Sequence, residues 1–432
     1  MQTQQRNPWL WIPSLYYAQG IPFVVVMMVS VILYKRLGLS NADIALYTSW
    51  LYLPWVIKPI WSPIVDILKT RRYWIVAMQL LIGAGLAGVA LTIPGDNFFR
   101  HTLAVFWLIA FSSATHDIAA DGFYISALSS HQQAWFVGIR STFYRLAMIT
   151  GQGLLVMVAG YLEGTTGSVS IAWSMTFYLL AALFLILFAW HRFVLPRPAA
   201  DVGRQSLPLR GLFKESLETF ASFFRKEHIG RVLAFLLLYR FAEAQLAKLA
   251  APFLLDVKAA GGLELSTGAV GLAYGTVGVL MLTIGGVLGG MLAARHGLRR
   301  WLWWMVAAIN LPNAVYIALA YLQPGNLMFV NIAVGIEQFG YGFGFTAYML
   351  YMIYVARGLH STAHYAICTG FMSLGMMLPG MISGWLQELL GYQHFFVWIL
   401  IATIPSFLVV SLVPLDREFG KRDSPQSATS VV

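Results

Sequence analysis

Charge is what this sequence has least of, since only 11% of its 432 residues are Asp, Glu, Lys or Arg. Soluble domains contain about 25% charged and about 45–50% apolar residues, whereas this chain is 59% apolar. A chain with so few charges does not cover a soluble surface of ordinary size. Together with a mean hydropathy of +0.69, the shortage excludes a soluble enzyme and a disordered chain. It predicts an all-α, polytopic membrane protein.

Cysteine is almost absent. The single cysteine, Cys368, has no second thiol to pair with, which excludes a disulfide scaffold. It lies in an apolar run, where a free cysteine behaves as a small buried hydrophobe. His and Cys show no metal-ligand spacing and no strand precedes the glycine strings, so we expect neither a metal nor a nucleotide cofactor. The glycine strings at 83–88, 285–290 and 340–344 instead predict close approach between helices.

Long apolar runs are what the sequence has in abundance. A helix that crosses a bilayer needs about 20 apolar residues. Runs of that kind recur along the whole chain, six before a polar interval and six after it. An even number of crossings places both ends of the chain on the same side of the membrane. The predicted spans are 9–34, 43–67, 73–93, 102–128, 134–160, 170–193, 231–255, 267–294, 301–322, 327–356, 362–387 and 393–413.

Basic residues are unevenly distributed between the two sides that these spans define. Most of the 28 Lys and Arg residues fall on the side that holds the chain ends and the central interval. Cytoplasmic loops are enriched in Lys and Arg, so both termini are predicted to be cytoplasmic. The net charge of +10 thereby reports topology, and nucleic acid is not expected as a partner. The basic residues that fall within spans are Lys58, Arg145, Arg240 and Lys248.

The two halves of the chain share sequence features at a constant offset. Arg71 and Arg72 follow the second span, and Arg299 and Arg300 stand at the same offset after the eighth. Two six-span repeats are typical of transporters built from related halves, with a binding site near the bilayer midplane between them. We therefore predict two pseudo-symmetric six-helix bundles. The predicted units are 1–193 (first bundle), 194–230 (cytoplasmic linker), 231–413 (second bundle) and 414–432 (disordered cytoplasmic tail).

The linker between the bundles carries a helical pattern of its own. Phe213, Leu217, Phe220 and Phe224 recur at helical spacing, and charged residues occupy the other faces. Such a pattern is typical of a helix that lies in the membrane interface. We predict an amphipathic helix on the inner surface, with a structural role rather than a docking function.

Several short motifs resemble those of a known family. The turn after the eighth span, R-H-G-L-R-R at 295–300, resembles the R-x-G-x-R-R loop signature of the major facilitator superfamily. Within that superfamily, AQGIP at 18–22, THDIAAD at 115–121, YRFAE at 239–243 and EQFGYG at 337–342 are similar to motifs of one branch. That branch contains the AmpG-type muropeptide permeases and the acetyl-CoA transporters. The resemblance extends over nearly the whole chain.

The resemblance implies the major facilitator fold, with twelve transmembrane helices in two bundles. It also implies that the turns after the second and eighth spans act as gating loops that latch neighbouring helices in one access state. Ala294 stands where the pattern often has an acidic residue, so a latch in the second half would depend on the arginines. The gating residues implied are Asp66, Arg71, Arg72, Arg295, Arg299 and Arg300.

Charged residues inside spans cost about 2.5–3.5 kcal/mol each near the bilayer centre, so they should be paired or line water. Asp117 and Asp121 lie one turn apart on the fourth span, and Arg140 and Arg145 lie on the fifth. Equal depth in this antiparallel hairpin predicts the pairs Asp117–Arg145 and Asp121–Arg140. The pairs act either as a structural staple or in substrate binding, gating or proton movement. His116, beside Asp117, is expected to be a hydrogen-bonded structural residue.

The second bundle has charges of both signs near mid-depth. Arg240 and Glu243 are three apart on the seventh span and can pair locally, which leaves Glu337 on the tenth the least compensated. The rise of a helix places Arg240 and Glu337 each about 15 Å from a membrane surface. An apolar surrounding favours a neutral carboxyl, and a nearby cation favours a charged one. Glu337 is therefore a candidate for proton coupling, with substrate contact and a structural role as alternatives.

These charges lead to a predicted function. Fixed positive charge at Arg145 and Arg240 favours a carboxylate or phosphate cargo, and the AmpG resemblance implies anhydro-muropeptides. We predict a monomeric, proton-coupled importer of small molecules in a bacterial inner membrane, working by alternating access without a cofactor. A siderophore importer, a drug or metabolite exporter, a membrane-embedded transferase and a non-transporting sensor are alternatives. Further cavity candidates are Tyr16, Tyr17, Gln19, Tyr124, Tyr144, Gln338 and Tyr341.

Overall fold

The computed structural model describes residues 6–198, 201, 209–416 and 419–420, and within these ranges all regular secondary structure is helical. The helices of the first half are α1 (Pro8–Arg36), α2 (Asn41–Trp50), α3 (Leu53–Leu68), α4 (Arg71–Thr92), α5 (Phe98–Ala127), α6 (His131–Thr166) and α7 (Val169–Val194). The linker contains α8 (Leu209–Phe224). The helices of the second half are α9 (Ile229–Leu238), α10 (Phe241–Leu255), α11 (Thr267–His296), α12 (Leu298–Leu322), α13 (Leu327–Ala356), α14 (Ser361–Ile401) and α15 (Ile404–Leu412).

Eight helical segments among the described residues are long and apolar enough to cross a membrane, and each coincides with one or two predicted spans. The segment Ser361–Leu412 covers two of them, because the backbone leaves the helical conformation at Gly391. The φ of 69° at this residue is left-handed, a conformation that favours glycine. The all-helical membrane architecture is therefore confirmed, while the count of twelve crossings stays a prediction.

Glycines set the close packing inside the second half. α11 and α12 both pack against α13. A Cβ atom on Gly285 of α11 would lie 2.1 Å from the Phe339 carbonyl oxygen, and one on Gly342 of α13 would lie 2.0 Å from that of Leu282. The two backbones are thus in direct contact, as small residues permit in membrane helices. The prediction that the glycine strings at 285–290 and 340–344 allow close approach is confirmed.

The two halves meet along α6 and α11 and along α2 and α14. The contact between α6 and α11 lies where both helices widen into a π turn, at 149–155 and 271–278. A Cβ atom on Gly275 would lie 2.1 Å from the backbone of Gln152. A Cβ atom on Gly384 of α14 would lie 2.0 Å from a carbonyl oxygen at the start of α2. Both junctions between the halves therefore depend on the absence of a side chain.

The helices run between two ends of the molecule. The terminal end contains the first and last described residues, the linker, and the turns 69–70, 128–129, 297 and 357–360. Its segments are tied together, for example by the Asp201 carboxylate, which accepts from the Arg71 amide at 2.7 Å. The far end contains the turns 37–40, 93–97, 167–168, 256–266 and 323–326. That the terminal end faces the cytoplasm stays a prediction.

The linker helix α8 forms where the sequence predicts an amphipathic helix. Its Phe220 and Phe224 are part-exposed, whereas Phe223, which the helical spacing does not select, is fully buried. The Phe223 ring stacks on Phe371 of α14 at 6.3 Å between centroids. The Phe213 side chain lies outside the described residues. α8 is therefore anchored to the second half by a face next to the predicted one.

Replacing Gly275 by Ala should destabilise the contact between the halves. The new Cβ meets the backbone of α6, which does not move aside as the end of a side chain would, and overpacking of this kind costs about 1–3 kcal/mol. We expect the midpoint of thermal unfolding in detergent to fall by several degrees. Gly268→Ala is the matched control, because it lies in the same helix with nothing within 4 Å of its Cβ position. Equal midpoints for the two variants would contradict this account of the junction.

Candidate functional site

A cavity of about 460 Å³ lies between the two halves, at the middle of the helices. Pockets that hold small molecules measure about 300–1,000 Å³. Rings from both halves contribute to its wall, including Tyr52, Trp55 and Phe345. Its other polar and charged lining residues are Lys58, Asp117, Ser141, Tyr144, Arg145, Gln152, Arg240, Glu243, Tyr274, Gln338, Tyr341, Thr369 and Ser373.

Seven of the twenty predicted site residues line this cavity, and most of the others lie close to it or at the terminal end. Glu337 lies directly behind the wall, 2% exposed, and its Oε2 accepts from the amide of Gln338 at 2.9 Å. Gln19 faces Asp117 from α1, and Tyr17 packs against the core. The predicted residues in the lining are Asp117, Tyr144, Arg145, Arg240, Glu243, Gln338 and Tyr341.

The predicted pair between Asp117 and Arg145 is wrong. The Asp117 carboxylate accepts from the Trp55 indole nitrogen at 3.0 Å and lies 3.7 Å from the ammonium of Lys58. Both partners belong to α3, whereas Arg145 belongs to α6. Equal depth in a hairpin fixes the height of two side chains but not the direction in which each leaves its helix. Asp117 points towards α3, and its counter-charge comes from there.

The predicted pair between Asp121 and Arg140 is confirmed, at 3.2 Å. It lies nearer the terminal end, where the two side chains are 43% and 32% exposed. Tyr16 and Tyr124 flank the Arg140 guanidinium, with ring centroids 4.6 and 5.0 Å away. The hydroxyl of Tyr16 also donates to Asp121 at 3.4 Å. These four predicted residues thus form one cluster of charges and rings between the cavity and the terminal end.

Arg145 reaches across the cavity to the second half. Its guanidinium donates to the Thr283 hydroxyl of α11 at 3.2 Å. Gly286 leaves room for it, since a Cβ there would lie 3.6 Å from Nη2. No ion pair of Arg145 occurs with any described carboxylate. Arg145 therefore presents a cation to the cavity whose described partner is neutral.

Arg240 and Glu243, predicted to pair locally, act on each other as charges but do not form a direct ion pair. The helix is interrupted at 239–240, where Arg240 has φ −111° and ψ 21°, so the three-residue spacing of a continuous helix does not apply. The guanidinium instead donates to the Tyr341 hydroxyl at 2.5 Å and lies over the rings of Tyr341 and Phe345. Oε2 of Glu243 is buried without a hydrogen-bond partner in the described structure. The second half thus holds one guanidinium between rings and two buried carboxyls, Glu243 and Glu337.

Lys58 and Trp55 are the main site residues that the sequence-based prediction missed. Both lie on α3, and Lys58 carried a signal, because it is one of the basic residues within predicted spans. The prediction considered only neighbouring spans as sources of a partner for Asp117. A search over all spans for bases at the depth of Asp117 would have included Lys58.

His116 is hydrogen-bonded, as predicted, and lies outside the cavity lining. Its Nε2 lies 3.0 Å from Gln79, which in turn lies 2.9 Å from His191. Ser14 completes the chain, 2.9 Å from the other nitrogen of His191. The four side chains link α1, α4, α5 and α7 inside the first half. Such a buried chain of hydrogen bonds fixes the packing of those helices.

The gating residues implied by the family resemblance lie at the terminal end, away from the cavity. Arg71 lies against Gly122, where a Cβ would be 2.4 Å from Nε. The guanidinium of Arg72 donates to the carbonyls of Arg192 and Leu195. Arg299 and its neighbours lie at the equivalent turn of the second half, where Arg299 reaches the Leu415 carbonyl at 3.5 Å. The side chain of Asp66 lies outside the described residues. Arg295 and Arg300 are exposed.

Metal ligands are not grouped in the described part of the chain: it contains no cluster of three His, Cys, Asp or Glu side chains that could hold an ion. The side chains that line the cavity include cationic, aromatic and acidic groups. These offer cations for an anionic group, rings for stacking, and carboxyls that exchange protons.

Comparison with known proteins finds transporters. A family model described as Major Facilitator Superfamily matches residues 15–363. The anhydromuropeptide permease of Escherichia coli strain K12 is 24% identical over 415 residues, covering 94% of this chain and 80% of the permease. An uncharacterized protein of Haemophilus influenzae is 26% identical over 424 residues, covering 94% of this chain and 95% of that protein.

Solved structures show the same fold at low sequence identity. A mutant of the nucleoside transporter NupG matches with a TM-score of 0.71 at 14% identity, covering 94% of this chain and 100% of the other. The D-xylose-proton symporter matches with a TM-score of 0.68 at 13% identity, covering 95% of this chain and 98% of the other. At this identity the likeness concerns the arrangement of the helices alone.

The partner of Asp117 can be identified by combining substitutions. We expect Lys58→Met and Asp117→Asn each to lower the midpoint of thermal unfolding. The double variant should lose less than the two single losses together, because contacting residues couple by about 0.5–3 kcal/mol. The comparison pair is Asp117→Asn with Arg145→Gln, whose effects should add. Coupling to Arg145 and none to Lys58 would restore the hairpin pair and contradict the structure.

Proposed function

We propose, from the premise that this chain belongs to the Major Facilitator Superfamily, that it imports a polar, anionic solute together with protons by alternating access. As a member of this family it is a transporter rather than an enzyme, and an integral protein of the inner membrane. The observation that carries the proposal is the central cavity. There Arg145 has no acidic partner among the described residues, and a pair of buried carboxyls lies separately in the second half. We propose that the protein works as a monomer.

We propose twelve crossings, with both chain ends in the cytoplasm. Besides the eight apolar segments, the pairs α2–α3 and α9–α10 and the helix α13 each have the length of one crossing. All three carry charged or polar side chains of the cavity. The break at Gly391 supplies the last crossing. The excess of Lys and Arg at the terminal end supports a cytoplasmic orientation.

Proton coupling is proposed for the two carboxyls of the second half. Glu243 and Glu337 are 3% and 2% exposed, and the Arg240 guanidinium acts on Glu243, which in turn acts on Glu337. An uncompensated charge is costly inside a membrane protein. One proton on the two carboxyls makes this group neutral, and losing it leaves a negative charge. Opening the cavity to water on either side changes that cost, which is how proton transfer becomes linked to the access state.

Solute recognition is proposed for the first-half side of the cavity. Arg145 offers a guanidinium that is free to bind carboxylate or phosphate in two parallel hydrogen bonds. Rings at Tyr52, Trp55 and Tyr144 supply flat apolar faces. The similarity to the Escherichia coli permease supports an anhydro-muropeptide as the solute, because such a molecule has carboxylates and sugar rings with apolar faces.

Reconstitution in liposomes tests the function directly. The purified protein would be supplied with labelled anhydro-muropeptide while a pH gradient is imposed, acidic outside. We expect accumulation that a protonophore abolishes. If another anionic solute accumulated and the muropeptide did not, the proposal of proton-driven transport would stand. The proposal that the solute is a muropeptide would be refuted.

Replacing Glu337 by Gln should remove coupling but leave transport. With one carboxyl fixed in a neutral form, the group no longer takes up and releases a proton as the cavity changes sides. We expect gradient-driven accumulation to fall to equilibration, while exchange of labelled for unlabelled solute at equal pH continues. Glu264→Gln, on an exposed far-end turn, is the control and should accumulate normally. If Glu337→Gln still accumulated solute against its gradient, the coupling role would be refuted.

Replacing Arg145 by Gln should weaken recognition of an anion specifically. Hydrogen bonds to charged groups contribute about 1.5–3 kcal/mol, so KM for the anionic solute should rise at least tenfold. Arg145→Lys should be intermediate, since it keeps the charge but not the paired geometry. An amidated, neutral analogue of the solute should be affected little by either change. An equal loss for charged and neutral solutes would instead indicate a structural role.

A further inference from the structure

An ion pair joins the two halves at the far end. The Lys35 ammonium, in the last turn of α1, lies 2.6 Å from Oδ1 of Asp256, which follows α10. The Tyr392 hydroxyl donates to Oδ2 of the same carboxylate at 2.6 Å. Both charged side chains are shielded from water, at 14% and 17% exposure. Charge-assisted hydrogen bonds of this kind are stronger than neutral ones, so Asp256 ties the first half firmly to the second.

Asn41, the first residue of α2, extends this network. Its amide nitrogen donates to Oε1 of Gln387 at 2.6 Å and lies 2.8 Å from the Tyr392 hydroxyl oxygen. The backbone amide of the next residue, Ala42, donates to the carboxylate of Glu388 at 2.9 Å. Asn41 and Gln387 are both buried. Every one of these contacts runs from the first half to the second.

Glu163 makes a separate connection at the same end. Its carboxylate lies 3.0 Å from the Arg36 guanidinium and accepts from the indole nitrogen of Trp173 at 2.8 Å, both within the first half. The same carboxylate accepts from the Thr267 hydroxyl, at the start of α11, at 2.7 Å. The far end is thus bridged at α6–α11 as well as at α1–α10 and α2–α14.

The terminal side of the cavity differs. Where both members of an ion pair are described, the pairs on that side join residues of the same half, namely Lys58 with Asp117 and Arg140 with Asp121. The described side-chain hydrogen bonds between the halves lie at the far end, at Lys248, or at Arg145 in the cavity. As far as the chain is described, the polar side-chain connections between the halves therefore concentrate at the far end.

Lys248 lies buried beneath the far-end contacts. Its ammonium is 3% exposed, donates to the Thr48 hydroxyl of α2 at 3.0 Å and lies 5.2 Å from the ring centroid of Tyr52. Both partners are neutral and belong to the first half. Burying an ammonium with neutral partners is costly, and water would reach it if α2 separated from α10. Lys248 thus favours separation of the two halves at the far end, whereas the Lys35–Asp256 ion pair favours their contact there.

We propose that these residues form a latch that holds the far end closed against the cost of burying Lys248, so that breaking it exposes the cavity to the far side. The proposal rests on the proposed transport by alternating access and adds the residues that set the balance between the two states. The latch consists of Lys35, Asn41, Asp256, Gln387 and Tyr392.

A single cysteine in the cavity reports which side is open. Cys368 would be replaced by Ala, and Ala247, which lines the cavity next to Lys248, would be replaced by Cys. A membrane-impermeant maleimide is then applied to right-side-out and to inverted membrane vesicles. Asp256→Asn should raise the labelling rate from the far side by about tenfold and lower it from the terminal side. Lys35→Met should act in the same direction.

Asp43→Asn is the matched control, because it makes the same change at the same end of the molecule. Asp43 bonds to Ser40 within the first half and makes no described hydrogen bond or ion pair with the second. Its labelling rates should equal those of the reporter protein. The assay needs no solute, so it tests the latch even if the proposed cargo or proton coupling proves wrong. The thermal midpoint of each variant excludes misfolding as the cause of labelling.

Lys248→Met tests the opposing contribution. Methionine fills similar space without a charge to bury, so this change in the Asp256→Asn protein should return far-side labelling towards the original rate. A cysteine pair at 41 and 387 adds a test that does not depend on weakening the latch. Oxidation should block far-side labelling, and reduction should restore it. Unchanged labelling in Asp256→Asn, or far-side labelling that persists in the fully oxidised pair, would overturn the proposal.

Discussion

The cost of holding charge away from water determines how this protein is built. Two cations deep in the bundle, Arg240 and Lys248, lie against aromatic rings. The Arg240 guanidinium lies between the rings of Tyr341 and Phe345, and the Lys248 ammonium lies over Tyr52. A ring face attracts a cation without becoming a second buried charge. The aromatic residues, 15% of the chain, therefore stabilise buried cations as well as forming the surface that faces the membrane.

The roles of the buried charged groups follow from whether each has a partner of opposite charge, more than from where each group lies. Asp117 and Lys58 neutralise each other, so they hold α3 to α5 without attracting a further ion. Glu243 and Glu337 outnumber the Arg240 guanidinium beside Glu243, which is why we propose that they share a proton. Arg145 has a neutral described partner, which is why we propose that it binds an anion. These differences exist within one small cavity because each group faces a different neighbouring helix.

Depth along a helix was predictable from the sequence, but direction around it was not. The apolar runs placed the crossings, and equal depth in the hairpin gave the pair of Asp121 with Arg140. The same rule failed for Asp117, since the rule contains no information on which neighbouring helix a side chain faces. The prediction for Arg240 used a different rule, the three-residue spacing within one helix. That rule failed because the break at 239–240 has no clear signal in a run of apolar residues. Glycine strings, which act through the backbone, were interpreted correctly for the opposite reason: their contact needs no side-chain direction.

A hydrogen bond in the cavity joins the two halves, as the far-end contacts also do. Among the described residues, Arg145 with Thr283 is the side-chain hydrogen bond between the halves that lies in the cavity itself, away from the cluster around the latch and Lys248. An anion that binds Arg145 competes with the Thr283 hydroxyl, and a charged acceptor outcompetes a neutral one. Binding would thus release this hydrogen bond at cavity level and leave the described polar connections at the far end and at Lys248. The energy of recognising an anion and the freedom of the halves to move are then set by the same guanidinium.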